Sequence, residues 1–373
     1  MQPNPPSTGP IRARLTALPG DVSGAFGDLG TFLPYVVAVV GTGLLAPGPV
    51  FLGFSAGYLG VALIYRVPVP IQPMKVLGAM ILAGGLSATQ TAWAGALIGA
   101  VLLALAATPA LARMASAVPQ MVLTGLQAGL GLILGALALR MIATDWRIAL
   151  PALATLALSY HWRRGPWALL VVIAAILAGP HLSPGPALPP PHPATGGVIS
   201  GVLAQLPLTL LNAVVVAATL AKSLFPQGAD RISARRLAAT SGALNLIFAP
   251  FGALPMCHGA GGLSAHYRFG ARGAGAPVII GSACALAAMT GPEMMRLLAA
   301  IPQPVLGALL IYAAADLILT RRLIDARGPG CAVIGLTALG TFFAGALIGL
   351  IAGLMADILR RRSAAARDGA DGA

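Results

Sequence analysis

Residues 67–75 read Val67-Pro68-Val69-Pro70-Ile71-Gln72-Pro73-Met74-Lys75, and residues 253–262 read Ala253-Leu254-Pro255-Met256-Cys257-His258-Gly259-Ala260-Gly261-Gly262. Both runs interrupt apolar parts of the chain with prolines and glycines, which break helices. In a lipid bilayer a broken helix leaves backbone groups unsatisfied, so such a break persists only where protein or a water-filled cavity surrounds it. A pair of breaks at corresponding places in two halves of a chain indicates the substrate site of a transporter.

The composition is that of an integral membrane protein. Of the 373 residues, 57% are hydrophobic and 9% are charged, and the mean hydropathy is +0.86, whereas a soluble domain carries roughly 25% charged residues. The net charge of +13 comes from short basic clusters between apolar runs, and such a distribution argues against a nucleic-acid-binding face. We therefore expect the chain to be surrounded by a lipid bilayer and to bind no nucleic acid.

The apolar runs predict an all-α integral membrane protein with about 14 transmembrane segments. They lie near 24–41, 49–66, 71–84, 91–107, 119–140, 148–160, 166–179, 198–222, 234–251, 256–267, 275–291, 302–320, 330–344 and 345–359. Segments 3 and 10 contain the two breaks. We expect one transmembrane transporter domain at 21–360, with cytoplasmic tails at 1–20 and 361–373.

The arginines predict the orientation of these segments. With the N-terminus inside, most basic residues face the cytoplasm, and the outer side receives only Arg140, Arg147 and Arg296. Such an asymmetry is typical of membrane proteins whose cytoplasmic loops carry the positive charge. It predicts a multi-pass protein of the inner (cytoplasmic) membrane with both termini in the cytoplasm.

Short motifs recur between the two halves of the chain. Val118-Pro119-Gln120 returns as Ile301-Pro302-Gln303, and Pro73-Met74 returns as Pro255-Met256, at offsets of about 182 residues. The recurrence predicts repeat 1 at about 21–180 and repeat 2 at about 197–360. Because seven segments per repeat is an odd number, the repeats have opposite orientations, and this seven-plus-seven inverted repeat brings two half-helices together near the membrane midplane.

The two breaks favour an anionic ligand. A half-helix that starts at Pro73 or Pro255 directs free N–H groups and about +0.5 charge toward the protein centre. Lys75 adds a full positive charge in a first turn, where a cation is ordinarily unfavourable. The expected substrate-binding residues at the breaks are Gln72, Pro73, Met74, Lys75, Cys257, His258, Gly259, Ala260 and Gly261.

Each of these candidates also has a purely structural interpretation. Gln72 and Lys75 could form an interfacial polar turn whose lysine reaches water, and His258 could pack beside a helix cap with a carbonyl as its partner. Thr31 and Asn212 are further substrate-binding candidates, although Asn212 could instead bond a neighbouring helix. Asp28 could be an N-cap close to the inner surface or a group that couples transport to a cation.

Four blocks of the chain resemble the signature blocks of the molybdate transporter family, which is related to the sulfate permeases. They are Gly27-Asp28-Leu29-Gly30-Thr31-Phe32-Leu33-Pro34, Pro70-Ile71-Gln72-Pro73-Met74-Lys75, Pro207-Leu208-Thr209-Leu210-Leu211-Asn212 and Pro255-Met256-Cys257-His258-Gly259-Ala260-Gly261-Gly262. The resemblance runs from about residue 20 to about residue 320. It implies a core domain that moves against a gate domain, and molybdate or sulfate as the substrate. Related carriers are often dimers, so a homodimer is one assembly that the resemblance leaves open.

We therefore expect a secondary active transporter that imports a tetrahedral oxyanion by alternating access, with molybdate as the first candidate and sulfate as the second. A carrier of the same fold for a nucleobase or an aromatic acid, and a passive anion channel, are the alternatives. The sequence has no His-Glu-x-x-His motif, no paired catalytic carboxylates and no nucleotide-binding P-loop, so we expect neither an enzyme nor direct use of ATP.

Import of a dianion against an inside-negative potential costs roughly 2 × 2.3 kcal/mol per 100 mV, so we expect coupling to cations or, alternatively, very steep binding and trapping of the anion inside. His258 is the first candidate for a proton carrier, since the pKa of histidine lies near physiological pH. Asp28 is the second. No ligands occur at metal spacing around His258, and we expect no cofactor and no metal.

Overall fold

The computed structural model describes residues 19–41, 43–82, 85–111, 113, 119–161, 167–179, 197–320, 323 and 330–371. Most of the predicted N-terminal tail and the Pro-rich connection at 180–193 lie outside these ranges. Within them the chain is mostly helical, as an all-α membrane protein should be. The addition to the predicted fold class is a pair of two-residue strands, which lies at the two breaks.

The first half of the chain begins with a helical stretch over 19–25 and a turn over 26–28. Its further elements are α1 (Leu29–Gly41), α2 (Pro47–Tyr65), β1 (Gln72–Pro73), α3 (Lys75–Leu82), α4 (Ala88–Ala106), α5 (Gln120–Thr144), α6 (Trp146–His161) and α7 (Trp167–Ala178). The predicted first segment, 24–41, is thus interrupted before α1. The break lets Gly24 and Gly27 lie against Ala271 and Phe269, where a Cβ atom would collide.

The second half begins with α8 (Val198–Leu208), which runs without interruption through a π-helical segment (Thr209–Val216) into α9 (Ala217–Leu224). The remaining elements are a 3-10 helix (Pro226–Arg231), α10 (Ala234–Phe248), a 3-10 turn (Ala249–Phe251), β2 (Met256–Cys257), α11 (Ala260–Arg268), α12 (Gly275–Ala299), α13 (Gln303–Ile318), α14 (Gly330–Ala344) and α15 (Ala346–Asp371). Gly291 kinks α12 at a φ of 37°. Helix α15 continues well beyond residue 359, where the predicted last segment ends.

Four helical stretches of the described chain are long and apolar enough to cross a membrane. They are Pro47–Tyr65, Ala88–Ala106, Gln120–Thr144 and Val198–Leu224. Shorter apolar helices of 10–17 residues accompany them, namely Trp146–Leu158, Leu169–Ala178, Gly275–Gly291, Gln303–Tyr312 and Gly330–Ala344. The count of about 14 segments therefore stays a prediction.

The main helix contacts join the first half of the chain to the second. Helix α2 packs along α12, α4 packs along α10, and α5 packs along α13. Close approach between α4 and α10 depends on Gly99 and Gly242, because a Cβ on either glycine would collide with the backbone of the other helix. Small residues at helix interfaces permit such contacts in membrane proteins, where apolar burial against lipid supplies little driving force.

Helix α14 lies between α5 and α15. Its Thr337 and Thr341 occupy the space that the glycines of both neighbours leave free, which are Gly125, Gly129, Gly349 and Gly353. Each threonine hydroxyl donates to the carbonyl four residues earlier, at 2.6 Å for Thr337 and 2.7 Å for Thr341. No polar atom of these two side chains is thus left unsatisfied at the interface.

The crossing of α4 and α10 predicts that Gly99→Ala destabilises the protein and that Gly60→Ala does not. Both changes add one methyl group to a helix, where alanine is favoured over glycine by about 1 kcal/mol. A Cβ at Gly99 meets backbone atoms of α10, whereas nothing lies within 4 Å of one at Gly60 in α2. We expect Gly99→Ala to cost about 1–3 kcal/mol and to lower the thermal unfolding midpoint in detergent. Equal midpoints for the two variants would contradict this packing.

Candidate functional site

The two interrupted stretches meet in the structure. Strands β1 and β2 pair antiparallel, with Gln72 opposite Cys257 and Pro73 opposite Met256. The pairing extends by one more bond, in which the Met74 N–H donates to the Pro255 carbonyl at 2.8 Å. The starts of α3 and α11, which follow the two strands, are thereby held close together. Three of the residues expected at the breaks lie on these strands, and all three are buried: Gln72, Pro73 and Cys257.

Asn245 of α10 completes the hydrogen bonding of β2. Its Nδ2 donates to the Met256 carbonyl at 2.6 Å and to the Ser241 carbonyl at 2.7 Å, and its Oδ1 accepts from the Met256 N–H at 2.9 Å. The side-chain amide therefore pairs with the backbone of Met256 as a neighbouring strand would. Sequence reasoning missed Asn245, although an asparagine within the apolar segment 234–251 was a signal for it.

Gln205 of α8 caps the start of α3. Its Oε1 accepts from the Val76 N–H at 2.8 Å and from the Leu77 N–H at 3.4 Å, and its Nε2 donates to Thr209 at 2.8 Å. The sequence predicts that the first N–H groups of both half-helices, α3 and α11, are free to bind a ligand. For α3 that expectation is wrong, because a glutamine that sequence reasoning missed already occupies two of them.

Lys75 is a buried cation. It begins α3, and only 8% of its surface is exposed. Among the described residues its ammonium group makes no hydrogen bond and no ion pair, and it lies within electrostatic range of Cys257. A buried charge is costly unless it is paired, and the positive end of a helix dipole raises that cost. This arrangement favours a negatively charged ligand beside Lys75.

The N-terminus of α11 begins at a glycine and has little free space around it. Gly259 is its N-cap and provides no side-chain cap, and among the described residues the amides of 260–262 make no backbone hydrogen bond. A Cβ on Gly259 would overlap the amide group of Gln72, and one on Gly262 would overlap the carboxylate of Asp28. Glycine at these two positions is thus required by the side chains that lie across the helix start.

The side chains of Gln72 and Asp28 are hydrogen-bonded to each other. Gln72 Nε2 donates to Asp28 Oδ2 at 2.5 Å, and each residue is only 2% exposed. Asp28 directly precedes α1, and its carbonyl accepts from the Phe32 N–H at 3.1 Å, as an N-cap residue does. Its carboxylate nevertheless lies at the candidate site, so both of the interpretations weighed from sequence describe part of its surroundings.

His258 is fully buried and bonded at both ring nitrogens. Nδ1 donates to the Pro70 carbonyl at 3.0 Å, because a carbonyl oxygen only accepts, and Nε2 pairs with the Thr240 hydroxyl at 2.7 Å. Tyr65 joins the same hydroxyl at 2.8 Å. The ring therefore links β2 to the stretch before β1 and to α10. This geometry matches the structural interpretation of His258 better than a proton carrier.

The remaining candidates are more dispersed. Asn212 lies half-buried in the π-helical segment, which packs against α10 and α11, and its side chain makes no hydrogen bond in the described chain. Thr31 belongs to α1, but its side chain lies outside the described part of the structure. Ala260 is buried and Gly261 is half-buried, both at the start of α11. Within the described ranges no three His, Cys, Asp or Glu side chains are grouped closely enough to hold a metal ion.

The sequence of this chain matches the family model described as "Molybdate transporter of MFS superfamily" over residues 20–134 and 197–317. These ranges cover more than half of the chain. The chain belongs to the molybdate transporter family. A similar relative is Molybdate transporter 1 of Arabidopsis thaliana, which is 27% identical over 397 residues, with 89% of this chain and 86% of that protein aligned.

Two solved structures share the fold of this family member. The transmembrane domain of the cyanobacterium bicarbonate transporter BicA has a TM-score of 0.66 at 17% identity and covers 91% of this chain and 98% of that one. SLC26A9 has a TM-score of 0.65 at 14% identity and covers 93% of this chain and 65% of that one. The molybdate transporter family member is thus an integral, multi-pass membrane protein. The prediction of a transporter rather than an enzyme is confirmed by its family and its named relatives.

The bonds of Asn245 predict a large loss of stability in Asn245→Leu. The change leaves the N–H and the carbonyl of Met256 buried without a side-chain partner, at about 1–3 kcal/mol for each group. Asn212→Leu makes the same change at a half-buried position that has no such bonds. We expect a lower thermal unfolding midpoint for Asn245→Leu alone. A midpoint for Asn245→Leu equal to that of Asn212→Leu would show that the contact is dispensable.

Proposed function

We propose that this family member is a secondary active transporter that imports a tetrahedral oxyanion, with molybdate as its first substrate. The observation that carries the proposal is Lys75, a buried cation that has no hydrogen bond or ion pair among the described residues. It begins α3, and the strand before α3 pairs with the strand before α11. Lys75 and the amides of Ala260, Gly261 and Gly262 are hereafter the anion site. Helix N-termini bind oxyanions through their free N–H groups and their dipole. An ammonium group adds the charge that a dianion requires.

The proposed architecture is a seven-plus-seven inverted repeat with half-helices at α3 and α11. These helices have 8 and 9 residues, which makes each about 12–14 Å long, whereas the hydrocarbon core is about 30 Å thick. Exchange of the two repeats turns the α2–α12 contact into the α10–α4 contact, and both contacts are present. The corresponding helices α5 and α13 both follow a proline N-cap, Pro119 and Pro302, with nearly identical φ and ψ. These correspondences support the proposed repeat.

Alternating access and coupling are part of the same proposal. A dianion that enters against an inside-negative potential needs an energy source, at roughly 2 × 2.3 kcal/mol per 100 mV. We propose cation or proton coupling, an inner-membrane location with both termini in the cytoplasm, and residues 21–360 as a single transport domain with short cytoplasmic tails. A homodimer is the assembly we would test first.

Sulfate is the second candidate substrate, because it has the charge and the shape of molybdate. The anion site consists of an ammonium group and backbone amides, which recognise charge and oxygen atoms and not the central atom. A passive anion channel would use the same groups. Competition and saturation of uptake therefore distinguish these alternatives better than geometry does.

We predict saturable uptake of labelled molybdate by cells that lack their own molybdate and sulfate carriers and express this chain. Excess unlabelled sulfate is added to a parallel sample. Uptake that resists sulfate indicates a molybdate carrier, and uptake that sulfate abolishes indicates a general sulfate-type permease. Flux that does not saturate indicates a channel. No uptake of either anion would refute the oxyanion proposal.

We further predict that Lys75→Gln lowers molybdate uptake at least about tenfold, which corresponds to about 1.4 kcal/mol of binding free energy. The matched control is Lys222→Gln, which changes the other lysine of the chain, on the exposed side of α9. We expect wild-type uptake from the control and normal membrane expression of both variants. Normal uptake by Lys75→Gln would remove this lysine from the anion site.

A further inference from the structure

Asp28 lies at the same helix start as the anion site. Its carboxylate lies against Gly262 in the first turn of α11 and accepts a hydrogen bond from Gln72. A bound oxyanion would use the N–H groups of this turn. Two negative charges at one helix start disfavour each other, and protonation of the carboxyl group removes this conflict. Binding of the oxyanion and protonation of Asp28 therefore favour one another.

Tyr58 and His266 form a second buried polar pair beside Asp28. Both residues are 0% exposed, and their rings meet edge to face with centroids 6.5 Å apart. His266 Nδ1 donates to the Gly24 carbonyl at 2.6 Å, which leaves Nε2 as an acceptor. Within the described ranges this atom has no hydrogen-bond partner. The Tyr58 hydroxyl also has no partner that meets hydrogen-bond geometry there, and it interacts with the backbone of Ile71.

The unsatisfied atoms of this pair are complementary. A phenol hydroxyl can donate and Nε2 can accept, so one water molecule between them would satisfy both. A buried polar atom is costly without a partner, and a buried water molecule is one partner that could serve both atoms. The pair therefore fits a water-mediated path for a proton.

The pair also connects Asp28 to the far end of α11. Asp28 and Tyr58 interact electrostatically, and His266 lies in the last turn of α11, next to Arg268. Six residues separate Ala260 from His266, which is about 9 Å along the helix axis. In the proposed orientation this end of α11 faces the cytoplasm.

We propose that Asp28, Tyr58 and His266 form a proton site and proton path beside the anion site, in which Asp28 takes up one proton for each oxyanion bound. This inference rests on the proposed function. The carboxylate gains one O–H bond and becomes neutral while the dianion is bound. When the site faces the cytoplasm that O–H bond breaks, and the proton is relayed through the Tyr58 hydroxyl to His266 Nε2. Water that enters as the anion leaves then takes the proton from the imidazole.

Several other titratable groups surround this site. Lys75 and Cys257 lie on its β1–β2 side, since Asp28 and Lys75 both act electrostatically on Cys257, and Cys284 of α12 acts on Tyr58. His258 uses both ring nitrogens in bonds to Pro70 and Thr240. Because Lys75 is already assigned to the anion and the cysteines carry no charge as thiols, Asp28 is the group of this set that would exchange the proton.

The first test is equilibrium binding of labelled molybdate to the full-length protein in lipid nanodiscs, between about pH 6.5 and 8.5. One linked proton makes the apparent Kd of the wild type rise about tenfold per pH unit above the pKa of the linked group. We expect Asp28→Asn, which resembles the protonated carboxyl group, to bind at every pH as the wild type binds at the lowest pH. Asp28→Glu keeps the carboxyl group and is expected to restore the slope.

The second test measures proton flux into proteoliposomes with an enclosed pH-sensitive dye while molybdate enters. His266→Asn keeps a donor for the Gly24 carbonyl and removes Nε2, and Tyr58→Phe removes the hydroxyl. We expect both variants to keep the pH slope of binding and to slow molybdate-driven proton flux at least about tenfold relative to the wild type. Tyr35→Phe is the matched control, because its buried hydroxyl also lacks a hydrogen-bond partner among the described residues, while its ring packs against Gly78 of α3.

The outcomes separate the inference from the proposed function. A wild type whose molybdate affinity is independent of pH, or an Asp28→Asn variant that keeps the wild-type slope, overturns the role of Asp28 and leaves an oxyanion carrier. Wild-type proton flux in His266→Asn and Tyr58→Phe overturns the path. A wild type that binds no oxyanion at any pH overturns the inference together with the proposed function.

Discussion

Backbone hydrogen bonding at the two interrupted stretches is the constraint on which the rest of this structure depends. Lipid cannot accept or donate these bonds, and prolines and glycines prevent a helix from making them. The chain satisfies them by tertiary contacts, through the pairing of β1 with β2, through Asn245 beside β2 and through Gln205 at the start of α3. The break in the helices thus becomes a fixed feature and not a weak point.

These tertiary contacts make each half of the chain dependent on the other. Gln205, from the second half, caps α3 of the first half. In return Gln72 and Asp28, from the first half, lie across the start of α11 in the second half. The long helix contacts α2–α12 and α4–α10 also join the first half of the chain to the second. The two breaks therefore share their hydrogen-bond partners, and neither half of the chain completes its own break.

The N–H groups and charged side chains that are left at the two breaks determine the chemistry of the site. Gln205 occupies two amides of α3, while the first amides of α11 and the ammonium group of Lys75 make no hydrogen bond within the described part of the chain. Asp28 adds a negative charge at the same place. A site with one cation, one helix N-terminus and one carboxyl group binds a dianion best when the carboxyl group is protonated. The proposed link between anion binding and a proton follows from this charge balance.

The sequence by itself determined the membrane class, the positions of the two breaks and the family, because hydropathy, helix-breaking residues and short motifs are local properties. Only the tertiary structure decided which polar residues serve the breaks. Gln205 lies 129 residues from Val76, and Thr240 lies 175 residues from Tyr65. Asn245 is only 11 residues from Met256, but a polar residue in an apolar segment does not reveal its partner. The assignment of His258 as the first proton carrier had the same weakness. The sequence shows that the residue is a histidine, which ordinarily titrates near physiological pH. The two hydrogen bonds that occupy its ring nitrogens form only when α10 and the stretch before β1 pack together.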